Sequence, residues 1–373
     1  MSFYIYQNKQ WPNFTWDSDS VNSRLVEVRH EQGRLLGRME NLGFNLKEEA
    51  TLQTLTQDVV KTSEIEGEVL NENQVRSSIV RRLDMNIAGL VPSDRNVDGV
   101  VKMTLDATQN YSAELNKARL FDWHTALFPN LNRGVYKIVV GDWRNNTKDD
   151  PMQVVSVSIG KEIIHFQAPD AKELETEMNA LLVWINKENR LDLVLKAGIA
   201  HLWFVTLHPF DDGNGRIARA ITDMFLARAD KNKNRFYSMS AQIRAERNEY
   251  YTILEKTQKG DLDITEWLLW FLNCFQKAVL NTNQTLNKII FKSKFWEKAS
   301  VLRLNERQKL MINKLLDGFD GKLNSSKWAK ITKCSQDTAI RDIQNLVDKQ
   351  ILQKEAAGGR STSYFLNENF VNR

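Results

Sequence analysis

Residues 193–219, LVLKAGIAHLWFVTLHPFDDGNGRIAR, join two helix-forming runs of different character through one glycine-rich loop. From Leu193 to Leu207 the chain is apolar almost all round, the pattern of a fully buried central helix. From Ile217 to Ala229 the pattern is amphipathic, which predicts a second helix with one apolar face. Pro209 disfavours helical geometry at His208, so the first helix is expected to end there and release the imidazole into the loop. Gly213 and Gly215 flank Asn214 and lead directly into the second helix.

A glycine-rich turn entering a helix N-terminus aims several backbone N–H groups into one concavity, where the helix dipole adds positive potential. Such a nest fits a phosphate. Arg216 and Arg219 supply forked donors suited to phosphate oxygens. Asp212 is a hard oxygen ligand of the kind that holds a Mg²⁺ shared with phosphates. His208 is the nearby group able to act as a base close to neutral pH. A Gly-Asn-Gly loop alone is an ordinary turn, and a histidine before proline is usually structural. Base, carboxylate, nest and two arginines in this order are the parts of phosphoryl-type transfer. His201, inside the apolar run, reads as a satisfied core histidine. His208 and Asp212 have the spacing of a helical metal pair, but Pro209 and Gly213 break the helix it would need and no third ligand is in evidence.

Outward from this loop the chain is mostly helical. The first 20 residues are aromatic and turn-rich, expected as an arm packed on the body. Leu25, Val28, Leu35, Met39 and Leu42 recur at helical spacing, and Gly43 ends that run. A second helix is expected from about Lys47, with Leu52, Leu55 and Val59 on one face, stopping at Gly67. Further helices are expected over roughly 71–85, 97–116 and 118–128, then on the face Leu174, Met178, Leu181, Leu182 and Ile185, and over 264–290. Between Tyr136 and Phe166 the period changes: Ile138-Val139-Val140 and Val154 to Val157 read as strands, and Gly160-Lys161 turns the latter back into Ile163 to Phe166. After residue 300 come helices from Asn305, over Ser325–Ile331 and over Ser335–Lys349. A hairpin of Ile351–Glu355 and Thr362–Leu366 follows, turned at Gly358-Gly359.

Composition sets outer bounds. A chain of 373 residues suits two or three domains. With 42% hydrophobic and 26% charged residues it is expected to be soluble and globular, with no membrane span. Met1 to Gln7 lack the layout of a secretion signal, and Cys274 and Cys334 have no metal-ligand spacing, so reduced cysteines and a cytoplasmic location are expected. From Val301 onward there are 13 Lys/Arg against 8 Asp/Glu, so the basic bias lies wholly in the C-terminal segment.

His208-Pro209-Phe210-x-Asp212-Gly213-Asn214-Gly215-Arg216-x-x-Arg219 resembles the full signature of the Fic (filamentation) family. The likeness extends through the hairpin and Ala168-Pro169-Asp170-Ala171, over roughly residues 96–275. It implies a mainly α fold: a helical bundle with a β-hairpin flap, preceded by an N-terminal helical region and followed by a winged helix domain. The corresponding boundaries are 1–95, 96–290 and 300–373. It further implies transfer of AMP from ATP, with Mg²⁺, to a Ser, Thr or Tyr hydroxyl of a protein. In that scheme His208 deprotonates the hydroxyl and Asp212 holds the metal on the α- and β-phosphates. Gly213, Asn214 and Gly215 form the anion hole, while Arg216 and Arg219 grip the β/γ-phosphates. Val155, Val157, Ile163, Ile164 and His165 would form a flap edge on which the target segment docks.

A second constellation is Thr62-Ser63-Glu64-Ile65-Glu66-Gly67. Thr62 and Glu66 fall on the inward face of their helix, where a carboxylate at a helix C-terminus needs a cationic partner. The alternative is an ordinary C-cap at Gly67 with Glu66 in water. The motif resembles the inhibitory helix of Fic proteins that carry it ahead of the core, which implies a Glu66–Arg219 pair obstructing the γ-phosphate. The implied partners are ATP and a protein substrate, the chain itself among the candidates, with a homodimer as a further candidate and no membrane. Two rivals stand beside this: removal of AMP, with Glu66 orienting a water, and a DNA-binding regulator with a nucleotide-sensing body. For the C-terminal unit, Ser335 is a good N-cap, and Ala339, Ile340, Ile343, Leu346 and Val347 make the expected buried face. Asp337, Asp342 and Asp348 outnumber Arg341 and Lys349 on that helix, so DNA binding is expected to be weak at best.

Overall fold

The computed structural model describes residues 3–87, 89–129, 138–158, 161–187, 190–316, 318–319, 321–355 and 362–372. The chain divides into two compact units, Met1–Asn283 and Gln284–Arg373. The first contains α1 (Ser18–Glu40), α2 (Phe44–Ile65), α3 (Glu72–Arg82), α4 (Arg95–Gln109) and α5 (Lys117–Leu127). Then follow the strands β1 (Gln153–Ser158) and β2 (Lys161–Gln167), α6 (Leu174–Asn186), α7 (Leu193–Leu207), α8 (Asn214–Asp230), α9 (Met239–Ala245) and α10 (Arg247–Gln258). The long α11 (Thr265–Ala299) has residues in both units. Short polar residues start many of these helices: Asn71, Asp94, Asn116, Asp192 and Ser238 each accept a first-turn N–H.

α7 is the axis of the unit. Every residue from Val194 to Leu207 is buried, and α8 lays Ile217, Ile221, Met224 and Phe225 against it. On α11, Trp267 donates from Nε1 to the Gly198 carbonyl at 2.9 Å, which ties that helix to the centre of α7. His201 is a satisfied core histidine, as expected. Thr222 Oγ1 donates to the Ala218 carbonyl, so His201 Nδ1 donates to Thr222 Oγ1 (2.9 Å), and Nε2 accepts from Tyr250 Oη (2.8 Å). Burial, helped by Arg219, pushes its pKa down to about 3. The N-terminal arm packs on the body: Thr15 bridges Asp263, and Trp11 and Phe14 meet Trp203 edge-on.

β1 and β2 pair antiparallel, with Val155 opposite Ile164 and Ser156 opposite Ile163, and a register shift between Val154 and Val155. Ile138-Val139-Val140 forms no strand, contrary to its apolar β-branched composition. The Val139 N–H donates to Asp211 Oδ2 at 2.8 Å, so its backbone donor serves the glycine-rich loop rather than a ladder. The helices α9 and α10 were not anticipated. The expected turns at Gly160 and at Gly358-Gly359 lie outside the described residues.

The second unit contains α12 (Glu306–Leu316), α13 (Ser325–Thr332), α14 (Gln336–Asp348), β3 (Leu352–Lys354), β4 (Tyr364–Leu366) and α15 (Asn369–Asn372). β3 and β4 pair antiparallel, and Leu323 adds a bridge to Tyr364. Trp328, Ala339, Ile343, Leu346 and Ile351 lie in its core. Two expectations for α14 need correction. Ile340 is 50% exposed, because the helix turns it away from the stripe of Ala339, Ile343 and Leu346. Asp342 instead is buried, held by Arg307 Nε at 2.7 Å and Asn305 Nδ2 at 2.8 Å, so its charge does not belong to the outer face. That leaves two charges of each sign from the original count. Among the described residues no helix is long and apolar enough to cross a membrane.

Candidate active site

The loop is shaped by each of its residues in turn. α7 ends at Leu207, and His208 takes a left-handed backbone (φ 48°, ψ 56°) while its N–H still reaches the Phe204 carbonyl at 3.0 Å. Pro209 disfavours the helical alternative at that residue. The Phe210 ring is fully buried and stacks in parallel on His124, centroids 4.1 Å apart, with Trp143 at 5.1 Å. Burying a phenylalanine side chain contributes about 1.5–3 kcal/mol, so this ring anchors the loop. Asn214 then staples it: Oδ1 accepts from the Phe210 N–H (3.0 Å) and Nδ2 donates to the Phe210 carbonyl (2.7 Å). Its side chain is thereby held by the protein, and its backbone N–H, without an acceptor inside the helix, is left for a ligand.

Gly213 has φ 81°, which a side chain would resist, and α8 begins immediately after it. The Ile217 N–H bonds the Gly213 carbonyl at 3.0 Å, so the N–H groups of Asn214, Gly215 and Arg216 have no acceptor within the helix. A Cβ on Gly215 would lie 2.1 Å from Glu66 Oε1, so the Glu66 carboxylate rests directly against this first turn.

Glu66 arrives there because α2 ends in a Schellman motif. The Glu68 N–H bonds the Ser63 carbonyl (3.0 Å) and the Gly67 N–H bonds the Glu64 carbonyl (3.2 Å), with Gly67 at φ 85°. Thr62, on the buried face with Leu52, Leu55 and Val59, receives Arg219 twice: Nε donates to Oγ1 (2.7 Å) and Nη2 to the carbonyl (3.0 Å). Arg219 Nη2 also donates to Glu66 Oε1 at 2.6 Å. Glu68 accepts from Arg216 Nη1 at 3.0 Å, and the Arg216 guanidinium lies 5.3 Å above the Phe128 ring. Both arginines thus face carboxylates from one short segment. Burial pushes the Glu66 carboxyl up, but Arg219, with Arg216 and His208 behind it, more than reverses this and holds it below its ordinary range. Burial pulls the Arg219 guanidinium down, and Glu66 more than restores it.

Two donors remain unused. Arg216 Nε and Arg219 Nη1 are buried without a hydrogen-bond partner among the described residues. Unpaired buried N–H groups beside a nest of backbone N–H groups are what a polyphosphate would satisfy. Asp212 stands at the rim, its side chain 61% exposed, 3.9 Å from Arg216 and accepting from the Gly213 N–H at 2.5 Å. No group of three metal-binding side chains occurs among the described residues. One exposed carboxylate beside a phosphate nest suits Mg²⁺ held largely by substrate oxygens. The His208 imidazole has Nδ1 3.4 Å from the Val205 carbonyl, and burial lowers its pKa to about 4, so it is the free base at neutral pH.

Two supporting residues escaped sequence reasoning. His124 Nδ1 accepts from the Gly141 N–H (3.1 Å), so Nε2 carries the proton and donates to the Asp212 carbonyl (3.2 Å); burial lowers its pKa to about 4. Arg144, 2% exposed, donates from Nε to the His208 carbonyl at 2.7 Å. Its Nη2 donates to the Pro169 carbonyl at 2.6 Å and the Leu207 carbonyl at 3.3 Å, and Nη1 bonds Asn146 Oδ1. His124 is the polar member of the buried stripe Leu120, Trp123, His124 and Leu127 on α5, a helical spacing the sequence does offer, whereas Arg144 lies in an irregular segment where no periodicity singles it out.

On the hairpin, Val155, Ile163 and Ile164 are exposed, while the Val157 side chain lies outside the described residues. His165 is tethered: Nδ1 meets Glu255 Oε2 at 2.7 Å and Nε2 meets Ser156 Oγ at 2.6 Å, which ties β2 to α10.

Comparison with known proteins agrees with this geometry. Residues 114–226 match the Fic/DOC family, and residues 4–85 match a domain of unknown function, DUF4172. Protein adenylyltransferase fic-1 of Caenorhabditis briggsae is 32% identical over 116 residues, 30% of this chain and 22% of that protein. A probable protein adenylyltransferase of Aquifex aeolicus is 27% identical over 126 residues, 31% of this chain and 38% of that protein. The chain therefore spans about a fifth to two fifths of the length of these relatives. Among solved structures, a Fic family protein from Desulfovibrio desulfuricans G20 has a TM-score of 0.54 at 20% identity, covering 95% of this chain and 98% of that one. A Fic domain containing signaling protein from Bacteroides thetaiotaomicron gives 0.51 at 17% identity, covering 70% and 95%. These two likenesses concern the fold. The match to the Fic/DOC family thus falls on residues 114–226, the segment that carries the loop just described.

Proposed function

We propose that this chain is a protein adenylyltransferase, moving AMP from ATP to a Ser, Thr or Tyr hydroxyl of a protein, and that Glu66 holds it inactive. The carrying observation is the Glu66 carboxylate seated against Gly215 and on Arg219, an anion of the chain occupying the place a phosphate would take. With Glu66 displaced, the N–H groups of Asn214, Gly215 and Arg216 and the two guanidiniums would receive the triphosphate. Asp212 would hold Mg²⁺, which when bound neutralises charge on the α- and β-phosphates. His208, a free base at neutral pH, would take the hydroxyl proton as that oxygen attacks the α-phosphorus and pyrophosphate leaves. The exposed edge of β1 and β2, with Val155, Ile163 and Ile164, suits an added strand from the target.

The test incubates parent, Glu66→Gly and the Glu66→Gly/His208→Ala double variant with α-labelled ATP and Mg²⁺, alone and with lysate. Label should enter protein strongly with Glu66→Gly and weakly with the parent. Adding His208→Ala should remove about 10²–10⁴ of the rate while ATP binding persists. Equal labelling by the double variant would refute the role of His208.

For Gln284–Arg373 we propose a winged helix-turn-helix. The order α12, α13, α14, β3, β4, with Leu323 bridging Tyr364, supports it. Withdrawal of Asp342 into the interior removes the acidic bias of α14, so backbone contact with nucleic acid is less disfavoured than the bare count of charges implies. Such binding would be weak and steeply dependent on salt.

A further inference from the structure

Arg144 lies outside the glycine-rich loop, in an irregular segment ahead of β1. A buried arginine is costly to desolvate, and its cost is offset only when its donors are used. Here they are used in one direction. Nε takes the His208 carbonyl and Nη2 takes those of Leu207 and Pro169, while Nη1 bonds Asn146; the Arg144 N–H adds the Pro209 carbonyl at 2.9 Å. Leu207 and His208 close α7, whose last carbonyls lack intrahelical partners and carry the negative end of the helix dipole. Asn146 precedes β1 and Pro169 follows β2, so the same guanidinium grips both ends of the hairpin.

His208 has a left-handed backbone, a conformation that costs a non-glycine residue free energy unless its surroundings enforce it. Among the described residues the polar contact of the imidazole is the one from Nδ1 to the Val205 carbonyl at 3.4 Å, so its direction depends on how the backbone at residues 207–209 is held. Arg144 binds three consecutive carbonyls there. We propose that Arg144 is a positioning residue for His208, locking the catalytic corner and the two roots of the hairpin into one unit, so that target strand and base keep a common frame.

Charge is a second consequence of the same placement. The charged groups facing His208 are Arg144, which disfavours the imidazolium, and Glu66 and Asp212, which favour it. Removing the guanidinium therefore raises the pKa of His208 towards its ordinary range, whereas a residue that merely filled space would leave it unmoved.

This proposal rests on the adenylyltransferase reading, and its test separates the two. In the Glu66→Gly background, Arg144→Lys and Arg144→Met are compared by AMP transfer, ATP-dependent melting shift and NMR titration of the His208 imidazole. Arg144→Lys, which keeps the charge and loses the fork, should lower kcat by the order of a hundredfold, as a misplacement of about 1 Å does. Its ATP-dependent melting shift and imidazole titration should stay close to those of the background. Arg144→Met should lose kcat at least as far and raise the imidazole pKa. If Arg144→Met does not fold, the kcat loss of Arg144→Lys at unchanged ATP binding carries the test. A kcat within twofold of the background for Arg144→Lys would overturn the proposal, as would equal losses of kcat and ATP binding. If the Glu66→Gly background transfers no AMP to any protein, the adenylyltransferase reading fails instead. The imidazole titration then still judges Arg144: an unmoved pKa in Arg144→Met overturns its link to His208, and a raised one supports it.

Discussion

Arg219 and Arg235 are both buried arginines beside carboxylates, and they represent opposite uses of the same pairing. Arg235 is fully enclosed: its Nη2 bonds Asp223 Oδ1 at 2.8 Å, and its guanidinium lies 4.6 Å from the Tyr237 ring centroid. Asp58 completes the cluster from α2, taking the Ser238 hydroxyl at 2.5 Å. Burial pushes the Asp58 and Asp223 carboxyls up, and these acids in turn raise Arg235 above its ordinary value. Arg219 is 2% exposed, yet its partner Glu66 is 32% exposed and comes from a helix end. A carboxylate at a helix end can leave for water and be replaced by another anion, whereas Asp223 has no solvent to leave to. The first pair is therefore suited to exchange and the second to permanence.

Removing Asp223 should do the most harm. Asp223→Ala strands a buried guanidinium, which costs about 3–5 kcal/mol, and ATP should shift its melting no further than it shifts the parent's. A variant that melts like the parent, or that ATP shifts further than the parent, would erase the distinction between the two pairs. For Glu66→Gly the intrinsic loss should be nearer 1 kcal/mol, since a partly exposed pair is screened. ATP at about a hundred times its Kd should return about 2.7 kcal/mol, seen as a melting shift larger than the parent's. Glu68→Gln sharpens the same contrast at lower amplitude. Its pair with Arg216 is also partly exposed, so stability should change by about 0–1 kcal/mol, and the rise in ATP binding should stay below that of Glu66→Gly.

The smallest effect concerns pH. Burial disfavours the His208 imidazolium and lowers its pKa from 6.5 to about 4, so the base remains neutral down to that range. AMP transfer by Glu66→Gly should be level from pH 7 to pH 5, and an acid limb near pH 6.5 would contradict the desolvated setting of the partly buried His208. Stability has the matching sign. The unfolded chain takes a proton at His208 near pH 6.5 and the folded chain only near 4, so this contribution is full above 6.5 and is lost on acidification. The slope for this one group is at most about 1.36 kcal/mol per pH unit.

Much of the fold was legible because it is written in local patterns. The apolar run at Leu193–Leu207 could be satisfied only by burial on all sides, and Pro209 marked its end to the residue. Strand composition at Ile138–Val140 misled, because a strand exists only where a partner offers a ladder, and here Asp211 takes the Val139 N–H. Asp342 misled in the other direction: an acid on an amphipathic helix reads as surface until Arg307 and Asn305 are seen to enclose it.

The residue types of the loop, their order and their entry into a helix were determined by the sequence itself, since proline and glycine act on their own and neighbouring residues' backbone. Whether Glu66 was a cap in water or the partner of Arg219 was not, and both descriptions hold in part: it ends α2 in a Schellman motif and also reaches the arginine at 2.6 Å. That choice, like the grip of Arg144 on His208, joins residues 153 and 64 positions apart. Pairings over such separations are set by how α2 and the hairpin roots pack around α7 and α8. Only the assembled core brings a guanidinium within hydrogen-bonding reach of its acceptor and removes the water that would otherwise compete for it.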